Sequence, residues 1–219
     1  MNKPLIALAL CAGLTAAPAA AQDKGKFNPG RDSAESMESY GKLLKYGDCV
    51  MGQGQGESAE NVLTSKPYSR SERSKTGLLR QRVTTCSAKG FENLHSLVRG
   101  SFAEAMYHRQ FHQSPLAADP ARAKAFVDAE KDFHSERDKG DQVMASVMSC
   151  MVAASPQTAH ALLMTQHGTT AEVTAMNTFF TAGQKCGAGA SRPSNLSRSF
   201  IRAFVADSAW RYARAVGQR

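Results

Sequence analysis

By type, the side chains of this 219-residue chain that could do chemistry are five cysteines, six histidines and 19 carboxylates. Cys49 and Cys86 stand 37 residues apart, and Cys150 and Cys186 stand 36 apart. No C-x-x-C spacing occurs, so a thioredoxin-like redox site is not the reading. Glu104, His108 and His112 recur at i, i+4 and i+8, one face of a helix. A carboxylate and two neutral imidazoles are zinc ligands by type. Three ligands strung over two turns of one helix need a further group from elsewhere, and His95 is the nearest in sequence. They are the metal candidates, and no metal or cofactor is assigned. Met144, Met148 and Met151 beside Cys150 carry soft-ligand chemistry suited to copper. With Val143 and Val147 interleaved, the same run reads as the packed face of a helix. His160 and His167 each stand alone. No nucleophile elbow, phosphate loop or zinc-protease helix motif is present, so no catalytic residue is assigned.

The order of these residues recurs. With an offset of 100, segment 61–90 falls on 161–190 without a gap: Leu63 meets Leu163, Ser69-x-x-Glu72 meets Thr169-x-x-Glu172, and Cys86 meets Cys186. Further on the offset becomes 103. Leu97-Val98-Arg99 then meets Phe200-Ile201-Arg202, Ala103-Glu104 meets Ala206-Asp207, and Tyr107 meets Trp210. Cysteines, cap residues, an Arg, an acid and an aromatic in one order are the mark of an internal duplication. The metal candidates do not recur, because Asp207, Arg211 and Ala215 stand at their matching positions. Arg99 with Glu104, and Arg202 with Asp207, are expected to form a charge pair inside each copy. Tyr107 and Trp210 are expected as core or interface anchors.

The elements that position these residues read as helices. Val143, Val147 and Met151, and likewise Met144, Met148 and Val152, follow the helical period. The two Ser/Thr-x-x-Glu pairs are capping boxes. Ser155-Pro156 and Asp119-Pro120 each place Pro at a first helical position. Stretches 93–113 and 195–216 carry apolar residues every three or four positions, and β-hairpin signals are absent. The expected fold is all-α: two tandem units of about four helices, one disulfide per unit. Unit one spans 32–113 and unit two 114–219, the latter including an extra charged helix at about 120–139. Residues 22–31 form a polar tail, and 52–56 a Gly-rich loop that unit two lacks.

At the N-terminus, Lys3, the apolar run from Pro4 to Ala17 and Ala19-Ala20-Ala21 make a secretory signal peptide over 1–21, cut after Ala21. The run is too short to span a bilayer, and no later stretch reads as a transmembrane segment. Cys11 leaves with the signal; Leu10 before it argues against a lipobox. The remaining 198 residues can bury a core without metals. They carry 26 basic and 19 acidic side chains. A basic exported protein can meet an anionic surface, a polysaccharide or an acidic partner, and nucleic acid is not an expected partner there. Four cysteines in an oxidising compartment imply two disulfides with three possible connectivities. Duplication selects Cys49–Cys86 and Cys150–Cys186, each closing a loop worth about 4 kcal/mol in the chain-entropy model.

The segments Tyr46-Gly47-Asp48-Cys49-Val50 and Val98-Arg99-Gly100-Ser101-Phe102-Ala103-Glu104-Ala105-Met106-Tyr107 resemble segments of small exported proteins of Gram-negative bacteria that have no assigned function. The resemblance implies a signal peptide and duplicated cysteine-bearing helical units, and no activity or site residues. The functional expectation is a periplasmic or secreted interaction or scaffold protein with a protein partner. An enzyme of unrecognised type and a metal-binding protein using Glu104, His108 and His112 are the alternatives. Non-reducing peptide mapping of protein from the periplasm should find Gln22 at the N-terminus and linked peptides Cys49–Cys86 and Cys150–Cys186. Links that cross between the halves would remove the two-unit reading.

Overall fold

A computed structural model describes residues 31–87, 90–91, 94–112, 118–189 and 191–217. The signal segment, nearly all of the tail and the join at 113–117 lie outside the described residues. The fold is all-α. Among the described residues there are nine α-helices and no strand: α1 (Ala34–Gly52), α2 (Gly56–Leu63), α3 (Arg70–Arg82), α4 (His95–Phe111), α5 (Pro120–Phe133), α6 (Lys139–Ala154), α7 (Pro156–Leu163), α8 (Thr170–Ala182) and α9 (Arg198–Ala215). A single 3-10 turn, Gln184–Cys186, follows α8. None of these helices is long and apolar enough to cross a membrane.

Local sequence explains the boundaries. The hydroxyls of Ser33, Ser69, Thr169 and Ser197 and the carboxylates of Asp119 and Asp138 each accept a backbone N–H in the first turn of the helix that follows, which satisfies donors left orphaned at a helix start. Both capping-box hydroxyls hold Glu N–H groups as expected. The Glu side chains behave differently: the Oε2 atoms of Glu72 and Glu172 accept from Tyr68 and Gly168, one residue before the cap. Both of those residues have positive φ, 67° at Tyr68 and 84° at Gly168. Their Oε1 atoms stay available for other partners. The charged stretch expected as one helix over 120–139 stops at Phe133, and Asp138 caps a new helix there. The apolar stripe of α6 is narrower than its spacing suggests, for Val143 is 65% exposed while Met148, Met151 and Val152 are buried.

α4 and α9 form the centre and are buried along almost their whole length. α1 packs on α4 and α6 packs on α9; α2 and α7 bridge α4 to α3 and α9 to α8. Tyr107 and Trp210 are fully buried. Tyr107 Oη lies 2.9 Å from His160 Nδ1, and Trp210 Nε1 donates to Gln110 Oε1 at 3.0 Å, so each satisfies its polar tip inside the core. One disulfide, Cys49–Cys86, ties α1 to the segment after α3; the other, Cys150–Cys186, ties α6 to the 3-10 turn.

The close approach of α4 to α9 depends on Gly100. A Cβ there would fall 2.4 Å from Ala203 Cβ and 2.8 Å from the Ala203 carbonyl oxygen. Gly47 plays the same part between α1 and α4, where a Cβ would lie 2.6 Å from the Ser101 carbonyl oxygen. Gly100→Ala should therefore destabilise the protein by about 2 kcal/mol or more, the cost of overpacking a well-filled contact. Gly41→Ala, a helix-interior site with nothing near the added methyl, should stabilise by about 0.5 kcal/mol. Thermal melts of both variants, disulfides intact, check the pair.

Candidate functional site

Two arginines organise the interior. Arg99 on α4 donates through Nη1 to the carbonyls of Val62 (3.0 Å) and Ser65 (3.2 Å) and to Glu72 Oε1 (3.0 Å), and through Nη2 to the Leu63 carbonyl. Arg202 on α9 donates to the carbonyls of Leu162 (3.3 Å), Leu163 (3.0 Å) and Thr165 (2.9 Å) and to Glu172 Oε1 (3.1 Å). Each guanidinium thus meets the orphan carbonyls at the end of a short helix, where a cation is favoured, and the capping-box carboxylate of the next helix. The remaining bonds reach across the molecule. Arg99 Nε meets Asp207 Oδ1 at 3.0 Å, and Arg202 meets Glu104 Oε1 at 2.7 Å. The expected pairing of each arginine with the acid five residues along its own helix is not what forms. Five residues on, the acid points to a different face of the helix, towards the partner helix, and the two pairs exchange between α4 and α9.

Around Arg99 and Asp207, α5 closes the structure. Glu130 accepts from Arg211 Nε (3.0 Å) and Nη2 (2.6 Å) and from Ser149 Oγ (2.7 Å), and lies 2.9 Å from His134 Nε2. The Phe133 ring lies under Arg99, 5.3 Å from its guanidinium carbon, and under Arg211 at 4.6 Å. Arg137 reaches Asp207 Oδ2 at 3.2 Å and donates to His134 Nδ1 at 3.0 Å. Burial, with Arg211 and Arg137 nearby, lowers the His134 pKa despite the opposing pull of Glu130. A neutral ring fits the geometry, since Nδ1 accepts a guanidinium proton. Burial pushes the Glu130 carboxyl up, but Arg211 and then His134 outweigh it and hold it at about 2. Lys66 adds an ion pair to Asp132 at 2.9 Å.

Around Arg202 and Glu104 the corresponding junction is open. A cavity of about 140 Å³ is lined by Leu44, Asp48, Glu104, Ala105, His108, Thr165, Gln166, His167 and Arg202. Glu104 is buried and also accepts from Tyr40 Oη at 3.2 Å. Burial, followed by the charge of Glu104, raises the Tyr40 pKa well above its ordinary value, so the phenol keeps its proton. His167 Nδ1 lies 2.9 Å from Glu172 Oε1 and Nε2 lies 3.2 Å from the Met37 carbonyl. His108 Nε2 lies 2.8 Å from the Leu163 carbonyl. That oxygen can only accept, so Nε2 carries the proton.

The metal candidates are not brought together. Glu104 is engaged by Arg202 and Tyr40, His108 is bonded to Leu163, and His112 sits exposed beyond the end of α4. His95 opens α4 beside Tyr68, 5.7 Å between rings. No group of three or more metal-ligating side chains converges among the described residues. Sequence reasoning missed the cavity residues Asp48 and His167 and the cluster Glu130, His134 and Arg137. The i, i+4, i+7 spacing of that cluster was the available signal.

No protein-family model, curated protein or solved structure matches this chain. Its chemistry must be read from its own two junctions. The covered one is an internal ion-pair network. The open one is a small polar cavity with an exposed carboxylate, two imidazoles and an apolar wall, suited to holding one polar group.

The covered network sets an acid dependence. The folded pKa of Glu130 lies below the unfolded value, so its contribution is full above about pH 4.5 and is lost as pH falls towards 2, where the unfolded chain takes up the proton first. The depressed His134 acts in the same direction below about pH 6.5. Glu130→Gln should cost about 3 kcal/mol at pH 7, and the gap to the parent should close as pH falls from 4.5 to 2. Denaturant melts across that range check both the magnitude and the sign.

Proposed function

We propose that the chain is an exported, disulfide-locked interaction module, built by duplication of a four-helix unit, that receives part of a partner protein at the open junction between its halves. One observation carries this reading. The two junctions are built around matching arginine–carboxylate pairs, but α5 covers one and leaves the other as a cavity. The supporting chemistry is general. Two disulfides belong to an oxidising compartment, and the N-terminal run fits a cleaved signal with Gln22 as the mature start. The network of buried ion pairs and two covalent loops favours a stiff body over a moving lid. A stiff body with a preformed recess suits recognition, since little ordering entropy is lost on binding.

The test combines location with contact. The protein should be found processed in the periplasm of its host. A photo-crosslinking residue at the exposed position of Gln166, on the wall of the cavity, should yield a discrete adduct in cells. The same probe at the exposed position of Glu136, on the turn before α6, should yield none. An unprocessed cytoplasmic chain, or a Gln166 probe that captures nothing, removes the reading.

A further inference from the structure

We propose that the open cavity binds the cationic head of an arginine or lysine side chain carried by a partner polypeptide. The proposal rests on the interaction-module reading and names what enters the recess. It is argued from the covered junction, where the chain itself shows how such a recess is occupied.

At the covered junction the occupant is acidic and aromatic. Glu130 is held by Arg211 and Ser149, Asp132 by Lys66, and Phe133 lies against Arg99 and Arg211. The matching positions of the open cavity are occupied by different residues. His108 stands for Arg211, Gln166 for Lys66 and Asp48 for Ser149. Two cations that hold the α5 carboxylates are gone, and a carboxylate stands where a hydroxyl donated to one. An occupant like the end of α5 would bring Glu130-type charge against Asp48 with nothing to neutralise it. The polarity of the open site is therefore reversed.

The local charge agrees. Arg202 is shared between Glu104 and Glu172, and His167 Nδ1 lies 2.9 Å from Glu172, so both of these buried carboxylates already have partners of their own. Asp48 is exposed and adds another, with no ion pair among the described residues. In a chain with formal net charge +8, this cavity places an exposed carboxylate at its mouth. His108 adds acceptor capacity. With Nε2 donating to Leu163, an imidazole in its neutral form offers the Nδ1 lone pair, which the Arg211 guanidinium cannot do. Leu44 and Ala105 supply apolar wall for an alkyl stem, the way long basic side chains bury their methylenes. At about 140 Å³ the cavity is well below the roughly 300–1,000 Å³ of sites that take drug-sized ligands. It fits one side chain.

The experiment titrates the full mature protein with blocked pentapeptides, acetyl-Gly-Gly-Arg-Gly-Gly-amide, its Lys and Glu counterparts, and free butylguanidinium, followed by two-dimensional NMR. The Arg and Lys peptides should give saturable shifts centred on Asp48, Ala105, His108 and Gln166, and the Glu peptide none. Asp48→Asn, a surface change, should weaken the Arg peptide about fivefold. Installing the residues of the covered junction, Asp48→Ser with His108→Arg, should abolish Arg-peptide binding and create a response to the Glu peptide. Equal responses to the Arg and Glu peptides, shifts centred elsewhere, or an Asp48→Asn variant that binds as before would each overturn the proposal. Butylguanidinium binding as tightly as the Arg peptide overturns its polypeptide source. If the Gln166 crosslink forms but no cationic peptide shifts the cavity, this occupant falls and the interaction module stands. If peptides bind there but no crosslink forms in cells, the cavity assignment stands and the module falls.

Discussion

The interior of this protein depends on two buried guanidinium groups. Arg99 and Arg202 are each at most 2% exposed. Each serves three kinds of acceptor at once: the last carbonyls of a short helix, the capping carboxylate of the helix after it, and an acid from the opposite half. An arginine suits this place because its planar fork presents five donors in fixed directions and stays charged. At the ends of α2 and α7 the Val62 and Leu162 carbonyls also accept from Ser65 and Thr165 N–H groups and Leu163 from His108, and the arginines add donors for these and for the Leu63, Ser65 and Thr165 carbonyls, where an unpaired buried carbonyl costs about as much as a lost hydrogen bond. Helix ends, helix starts and the contact between halves are thereby coupled through single side chains.

Such pairs contribute little net stability compared with well-packed apolar residues, since desolvation offsets most of the attraction. Their consequence here is register. The contact of α4 with α9 at Gly100 and Ala203 already resists sliding, since a turn in either direction brings Ser96 or Glu104, each with a Cβ, against Ala203. A one-turn slide would take Arg202 from the buried Glu104 and Arg99 from Asp207, which keeps Arg137 and Arg211, and an uncompensated buried charge such as Glu104 costs about 3–5 kcal/mol. Reciprocal pairing penalises both directions of sliding. The close approach that glycine permits and the alignment that the charges demand are thus two parts of one device.

Much of this was legible in the sequence because it is local. The capping hydroxyls at Ser69 and Thr169, the Pro-led starts of α5 and α7 and the apolar periodicity all act within one or two turns, so spacing reveals them. The cysteine intervals reveal loops of similar size. The destination of Arg99 and Arg202 was not legible. Spacing identified the arginines and acids as recurring but could not say which helix each would face. An acid five residues on falls on a different face, and only the crossing of α4 over α9 makes the pairing reciprocal. The end of α5 was missed for a similar reason. Asp138 can cap a helix or continue a charged one, and tertiary packing of Phe133 between two arginines decides. Spacing also could not show the partners of Glu104: a shared helix face puts it in line with His108, and its carboxylate is engaged by Arg202.

The difference between the two junctions follows from these substitutions. A recess lined by Arg211, Lys66 and Ser149 leaves donors that need acceptors, and α5 supplies them in Glu130 and Asp132. With His108, Gln166 and Asp48 in the same places, the lining no longer favours an acidic cover, and an exposed carboxylate can be satisfied by water while the recess is open. Charge accounting therefore permits an open recess on one side and disfavours it on the other. An occupant with no charge would gain little here, because the apolar wall is limited to Leu44 and Ala105 and the small volume leaves little area to bury. On the reading proposed above, recognition at this junction rests on a charged, directional contact whose sign is set by Asp48.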